Sequence, residues 1–149
     1  MMKNIHIQPI PKTEIFTILP LLQILNTKTS ESLLKKRLLE MVSQNYECIG
    51  LYHEKKLIGI CGLWFSTRHY IGKTAEIDHV IMYSDYRNKG LGQLFFKWIY
   101  DYLIKKGCDA TELNTYVANT KSHKFYYNEG YDIYGFHMLK VLRKDDKFY

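Results

Sequence analysis

The chain has 149 residues, enough for one domain with a sizeable core, and its 46% hydrophobic and 15% aromatic content is that of a globular rather than a disordered protein. No apolar run approaches the length of a transmembrane helix, which excludes the simplest kind of membrane span. The net charge of +6 favours anionic partners, either nucleic acid or a cofactor carrying several phosphates.

The N-terminal stretch MMKNIHIQPIPK lacks the apolar region and cleavage site of a signal peptide. Cys48, Cys61 and Cys108 lie far apart with no C-x-x-C pairing, so free thiols in a reducing compartment, the cytoplasm, are expected. The six histidines are scattered without H-E-x-x-H or a His/Cys cluster, and no metal is expected.

Taken in order, Lys3 to Pro9 alternates as a short strand that Pro9 places at an edge or end. Thr13 to Leu25 reads as a helix that Pro20 breaks or kinks. Ser30 or Thr29 caps the next helix, Glu31 to Asn45, with Leu33, Leu34, Leu38, Met41 and Val42 inward and Lys35-Lys36-Arg37 as a solvated face. Tyr46 to His53 and Leu57 to Phe65 form a hairpin about Glu54-Lys55-Lys56, and Gly59 and Gly62 suggest a bulge or a close backbone approach. Ser66 to Lys73 is a polar loop.

A strand rich in Ile77, Val80, Ile81 and Met82 follows, then a basic turn, then a helix in which Leu94, Phe95, Trp98, Ile99, Tyr102 and Leu103 recur on one face. Gly107 is its stop. Ala110 to Val117 is a strand, Lys121 to Asn128 a short helix ended by Gly130, and Tyr131 to Ile133 and Phe136 to Leu142 are closing strands around Gly135. The order β-α-α-β-β-β-α-β-α-β-β, without repeats or a second boundary, predicts a single domain over residues 1–149. Its fold class is α/β (α+β), a mixed sheet with helices on both faces.

The turn Arg87-Asn88-Lys89-Gly90-Leu91-Gly92 joins that strand to the helix. Helix N-termini present unpaired N–H groups and the positive end of the dipole. Glycine permits close backbone approach, and Arg87 and Lys89 add charge; together these describe a pyrophosphate cradle. A dinucleotide fingerprint fails because Phe95 stands where the third glycine belongs. A P-loop fails because Gln93-Leu94 follows Gly92.

The remaining pattern, Arg-x-x-Gly-x-Gly between strand and helix, resembles the Gcn5-related N-acetyltransferase (GNAT) family. A second motif agrees: Asn119, then Phe125-Tyr126-Tyr127-Asn128-Glu129-Gly130-Tyr131, similar to the family's Asn-x-x-Ala-x-x-Phe-Tyr-x-x-x-Gly-Phe. Ser122 or His123 replaces the small alanine and Tyr131 the phenylalanine. The resemblance implies a mostly antiparallel sheet of about six or seven strands. It implies acetyl-coenzyme A as acyl donor, its pyrophosphate on the amides of Arg87, Asn88, Lys89, Gly90, Leu91, Gly92 and Gln93, and further contacts from Asn119 and Tyr126. The backbone of Val80, Ile81 and Met82 would pair with the pantetheine arm like an added strand.

By the same resemblance Tyr126 is the general acid for the departing thiolate, a role its protonated phenol suits. Glu76, eleven residues before Arg87, matches the position of the glutamate that some members use as base. Asp78 shares its face in a regular strand, a parity a bulge would change, and His79 titrates near neutrality; solvent is a fourth acceptor. The expected reaction is direct acetyl transfer to a primary amine, of a small molecule, in a ternary complex, with no cysteine in a nucleophile motif. The segment from Thr111-Glu112-Leu113-Asn114-Thr115 through Tyr131, with Phe136-His137-Met138-Leu139-Lys140, more weakly resembles aminoalkylphosphonate acetyltransferases, which suggests an amine with an anionic tail; loop position alone offers Arg68, His69, Tyr70 and His137 as pocket candidates. The competing readings are a coenzyme A sensor without turnover and a basic nucleic-acid-binding module, although no helix-turn-helix, zinc finger or RNP pattern is present. No nucleic-acid or membrane partner is expected, and a homodimer is possible on family grounds.

Overall fold

The structure, a computed structural model, describes residues 2–145 and 147–149 and falls into a first unit that ends at Leu113 and a second from Asn114 to Tyr149. In the first unit the strands are β1 (Ile5–Pro9), β2 (Tyr46–His53), β3 (Lys56–Arg68), β4 (Gly72–Met82) and β5 (Ala110–Leu113). They lie in the order β1-β2-β3-β4-β5; the pairs β1–β2, β2–β3 and β3–β4 are antiparallel, and β5 is parallel to β4. Pro9, which cannot donate to a ladder, sits on the edge strand as its chemistry requires.

A 3-10 segment (Lys12–Ile18) runs directly into α1 (Leu19–Leu25), and Pro20 lies in the first turn of α1, where a missing N–H costs nothing. The expected break is thus a change of helix type. Ser30 caps α2 (Glu31–Val42) by accepting from Leu33 N–H at 3.3 Å. Leu34 and Leu38 of α2 join Ile18, Leu21 and Leu22 in a core against Tyr46, Cys48, Ile60 and Ile81, with Met41 and Val42 partly buried beside it.

The opposite sheet face carries Ile49, Leu63 and Ile77 and receives α3 (Leu91–Lys105), which connects β4 to β5. The inward face of α3 consists of Leu91, Phe95, Phe96, Ile99 and Leu103. It is rotated from the expected one: Phe96 is buried, Leu94 is 40% exposed, and Trp98 and Tyr102 stack on each other at 5.2 Å, half-buried. So many of the helix's residues are apolar that periodicity alone does not fix the face. At the C-terminal end of α3, Tyr102 Oη donates to Glu47 Oε2 at 2.5 Å and Lys106 Nζ to Glu47 Oε1 at 3.0 Å. Lys73 Nζ donates to the Lys106 carbonyl at 2.6 Å. Gly107 takes a left-handed φ of 79°, and Cys108 N–H reaches back to Leu103 C=O, the glycine stop the sequence announced.

The polar loop expected over 66–73 is mostly strand, with only residues 69–71 left to turn between β3 and β4. The second unit contains α4 (Thr120–Asn128), ended by Gly130 at φ 93° with Tyr131 N–H bonded to Tyr126 C=O. Residues 131–133 and 136–142 are not strands, so the sheet has five strands rather than six or seven. Alternating apolar residues favour extended backbone, but a strand is defined by a ladder, and the second unit has no other strand to supply one among the described residues.

Candidate active site

The glycine-bearing turn has the backbone that an anion cradle needs. Asn88 (φ 59°) and Gly90 (φ 74°) are both left-handed, separated by Lys89, a geometry that turns successive N–H groups toward one side. Gly90 is the N-cap of α3. The first intrahelical bond runs from Leu94 N–H to Gly90 C=O at 3.3 Å, and among the described residues no side chain caps the amides ahead of it. A Cβ built on Gly90 meets nothing within 4 Å, so the space in front of the turn is open. Lys89 Nζ lies 5.8 Å from the Tyr86 ring centroid, and the Arg87 Nε–H donates to Met82 C=O at 3.1 Å, tying the turn to the end of β4.

The second feature is a sheet that parts. β5 pairs with β4 only over Thr74 to Ile77, and among the described residues no strand covers that side of β4 from Asp78 to Met82. On the other side Val80, Ile81 and Met82 pair with Cys61, Ile60 and Gly59. Tyr83 N–H donates to Ile58 C=O at 3.0 Å, which continues the same register. In an antiparallel pair the main-chain groups alternate in direction. Those of Ile81 therefore face β3, while those of Val80 and Met82 face the open side, as the bond from Arg87 to Met82 C=O also requires.

The third feature is a bulge. Cys61 opposes Val80 and Leu63 opposes Ile77, so Asp78 and His79 together face the single residue Gly62. The extra residue changes the side-chain parity: Trp64 Nε1–H donates to Asp78 Oδ2 at 3.0 Å, and His79 Nε2 lies 2.6 Å from Tyr46 Oη. Tyr46, Trp64 and Glu76 are direct neighbours across β2, β3 and β4 and so share one face. Glu76, Asp78 and His79 thus lie on one face, whereas a regular strand would put His79 on the other.

Burial lowers the His79 pKa below its ordinary value, opposed by the charge of Asp78. Burial likewise raises the Tyr46 phenol far above its usual range and pushes the Cys48 thiol up to about 12. Tyr46 and Trp64 escaped notice in the sequence, because partners 33 and 14 residues away leave no local signal. Gly62 was the one visible hint.

Arg68, His69 and Tyr70 stand at the other end of β4, about 30 Å of strand from Met82. There Arg68 is 3.5 Å from Glu112, and His69 meets Tyr70 edge-on at 5.3 Å. In the second unit Asn119 is the N-cap of α4 without a side-chain cap bond. Tyr126 lies on α4, its ring 5.6 Å from Phe125 and 5.8 Å from Tyr131. His137 follows in the tail after α4, in a segment that is neither helix nor strand. Among the described residues there is no group of three or more His, Cys, Asp or Glu placed to hold a metal, and no helix long and apolar enough to cross a membrane.

Comparison with solved structures finds the same fold repeatedly. An aminoglycoside acetyltransferase from an uncultured soil metagenomic sample, in complex with sisomicin, superposes with a TM-score of 0.79 at 12% identity, covering 94% of this chain and 97% of that one. The ribosomal-protein-alanine N-acetyltransferase of Brucella melitensis biovar Abortus 2308 gives 0.77 at 15%, covering 92% and 99%. AAC(6')-Iy in complex with the bisubstrate analogue CoA-S-monomethyl-acetylneamine gives 0.78 at 14%, covering 93% and 98%. Curated protein sequences return no significant match. The model of the acetyltransferase (GNAT) family matches residues 18–131, spanning both units. By fold and by that match, this chain belongs to the GNAT family of N-acetyltransferases.

Proposed function

We propose that the chain transfers an acetyl group from acetyl-coenzyme A to a primary amine of a small molecule, by direct attack in a ternary complex, and that residues 1–149 act as one N-acetyltransferase domain. The observation that carries this reading is the adjacency of two unfilled backbone surfaces. The uncapped, open N-terminus of α3 lies directly after the stretch of β4 that β5 leaves uncovered. A pyrophosphate suits the first and an amide-bearing pantetheine arm the second.

The amides from Arg87 to Gln93 hold the pyrophosphate, with Lys89 adding charge. Arg87 acts mainly by fixing Met82, and Val80 offers its main-chain groups to the pantetheine. Asn119 and Tyr126 complete the set, with Tyr126 giving its proton to the departing sulfur. The amine's proton goes to the face of β4 that carries Glu76, Asp78 and His79. Among these, Glu76 is the one that the family pattern singles out.

The neighbours named for aminoglycosides support a polyamine-like small substrate. The three free cysteines fit a reducing compartment, the cytoplasm. The test is acetyl-coenzyme A-dependent thiol release over aminoglycosides, polyamines, aminoalkylphosphonates, amino acids and a lysine peptide, with calorimetry for cofactor binding. Selective release with one small-molecule class is the expected result. Release with the peptide alone would move the substrate to proteins, binding without release would favour a sensor, and absence of binding would overturn the reading.

A further inference from the structure

The bulge in β4 contains one polar atom that the fold leaves unanswered. His79 is 9% exposed, and its Nδ1 is buried with no hydrogen-bond partner among the described residues. Buried side-chain nitrogens are nearly always paired, so an unpaired one marks a place where a ligand or a proton is received. The imidazole meets Gly62 through Nε2, Cδ2 and Cε1. Nδ1 is thus not among the ring atoms set closest to Gly62, and His79 itself stands in the stretch of β4 that β5 does not cover.

We propose that Tyr46 fixes His79 as the tautomer protonated on Nε2, and that Nδ1 takes the proton of the substrate ammonium group. This rests on the acetyltransferase reading and deepens it by choosing among Glu76, Asp78 and His79. With the proton on Nε2, the Tyr46 oxygen accepts it and the Tyr46 hydroxyl turns to Cys48, with which it also interacts. Only a lone pair then remains on Nδ1. The other tautomer would bury an N–H donor with no acceptor, the costlier kind of orphan.

The titratable groups on the ring's face of the sheet are Glu76 and Asp78 on its own strand and Tyr46 and Cys48 on β2. β3 contributes Gly62 and Trp64, and α1 and α2 bring the apolar Leu21, Leu34 and Leu38 to this face. Tyr46 and Cys48 stay protonated at neutral pH, which leaves Asp78 as the adjacent anion that stabilises the imidazolium. In the step itself an ammonium N–H bond breaks and its proton bonds to Nδ1. The freed pair on nitrogen attacks the thioester carbon, and the C–S bond breaks with its pair moving to sulfur, which takes the Tyr126 proton. The newly bonded nitrogen gives its second proton to solvent and becomes the neutral amide. His79 then releases its proton to solvent, from which Tyr126 regains one. His79 is the catalytic residue and Tyr46 a positioning residue.

The test pairs nitrogen-15 NMR of the histidine ring in the full chain with kinetics of His79→Gln and Tyr46→Phe, using the amine that releases thiol fastest in the panel. The expected spectrum has His79 protonated on Nε2 and bare on Nδ1, and Tyr46→Phe mixes the two tautomers. His79→Gln should lower kcat about 10²-fold, with the KM for acetyl-coenzyme A unchanged and the acid limb of kcat/KM abolished. Tyr46→Phe should lower kcat about tenfold and displace that limb. A proton on Nδ1, or an acid limb that survives His79→Gln, overturns the proposal. The spectrum is read on the unmutated protein, so it decides the tautomer even if His79→Gln does not fold. A correct tautomer with no amine turned over would instead count against the acetyltransferase reading.

Discussion

Gly62 of β3 and His79 of β4 occupy one position between them: a Cβ on the glycine would collide with His79 Nε2, and only its absence lets the imidazole reach Tyr46. Gly62→Ala should therefore cost about 1–3 kcal/mol, because a ring held by a buried hydrogen bond has little room to yield. Urea denaturation measures this. An unchanged midpoint would mean that the ring moves freely and that the Tyr46–His79 bond is not a fixed part of the site.

Gly90 separates a backbone effect from a packing effect. Its added Cβ meets no atom, so Gly90→Val costs only the left-handed φ of 74°, about 1–2 kcal/mol of stability. The new side chain would stand in the open space before the amides of α3. Calorimetry should show coenzyme A affinity falling by more than about tenfold, beyond anything the small loss of stability explains. Retained affinity would remove the turn from the binding site.

For Tyr126 the proposed role lies in the chemical step alone. Tyr126→Phe keeps the ring beside Phe125 and Tyr131 and removes only the hydroxyl. A drop of about 10²-fold in kcat with coenzyme A affinity unchanged is expected. Equal losses in both would make Tyr126 a binding residue.

Two hydrogen-bonded networks, one buried about His79 and one half-buried about Tyr102, contribute to the pH dependence of stability. The folded-state pKa of His79 lies below its ordinary value of 6.5 because of burial, so the unfolded chain binds that proton more readily. The contribution is complete above that value and is lost as pH falls through the folded pKa. On the alkaline side, burial and the Glu47 carboxylate raise Tyr102 from 10.0 to about 12. Its contribution is complete below pH 10.0 and is lost as pH rises through about 12; Lys106, also raised by Glu47, acts in the same direction. Melting curves across both windows should show that His79→Gln flattens the acid side and Tyr102→Phe the alkaline side.

What the sequence disclosed was local. The Ser30 cap, Pro20 at a helix start, the glycine stops at Gly107 and Gly130 and the turn before α3 all follow from residues within a few positions of one another. Gly62 hinted at an irregular ladder, but which strand holds the extra residue depends on pairing, and pairing is not local. The rotation of α3 that buries Phe96 and exposes Leu94 was hidden because both residues are apolar. Residues 131–142 alternate well enough to suggest strands, yet alternation describes a face and does not supply a neighbour.

The irregularity in β4 also acts as a frameshift written in space. Upstream of it the strand keeps one phase with β3; downstream every peptide group is turned over relative to that phase. Which amides a bound molecule meets between Asp78 and Met82 is thus fixed by a count of residues rather than by their identity. Were the same residues paired in a regular ladder from Ile77 onward, Val80 would oppose Ile60, and the main-chain groups of Ile81 would face outward in place of those of Val80 and Met82 with no change in sequence. The extra residue in the pairing is accordingly what selects the exposed amides.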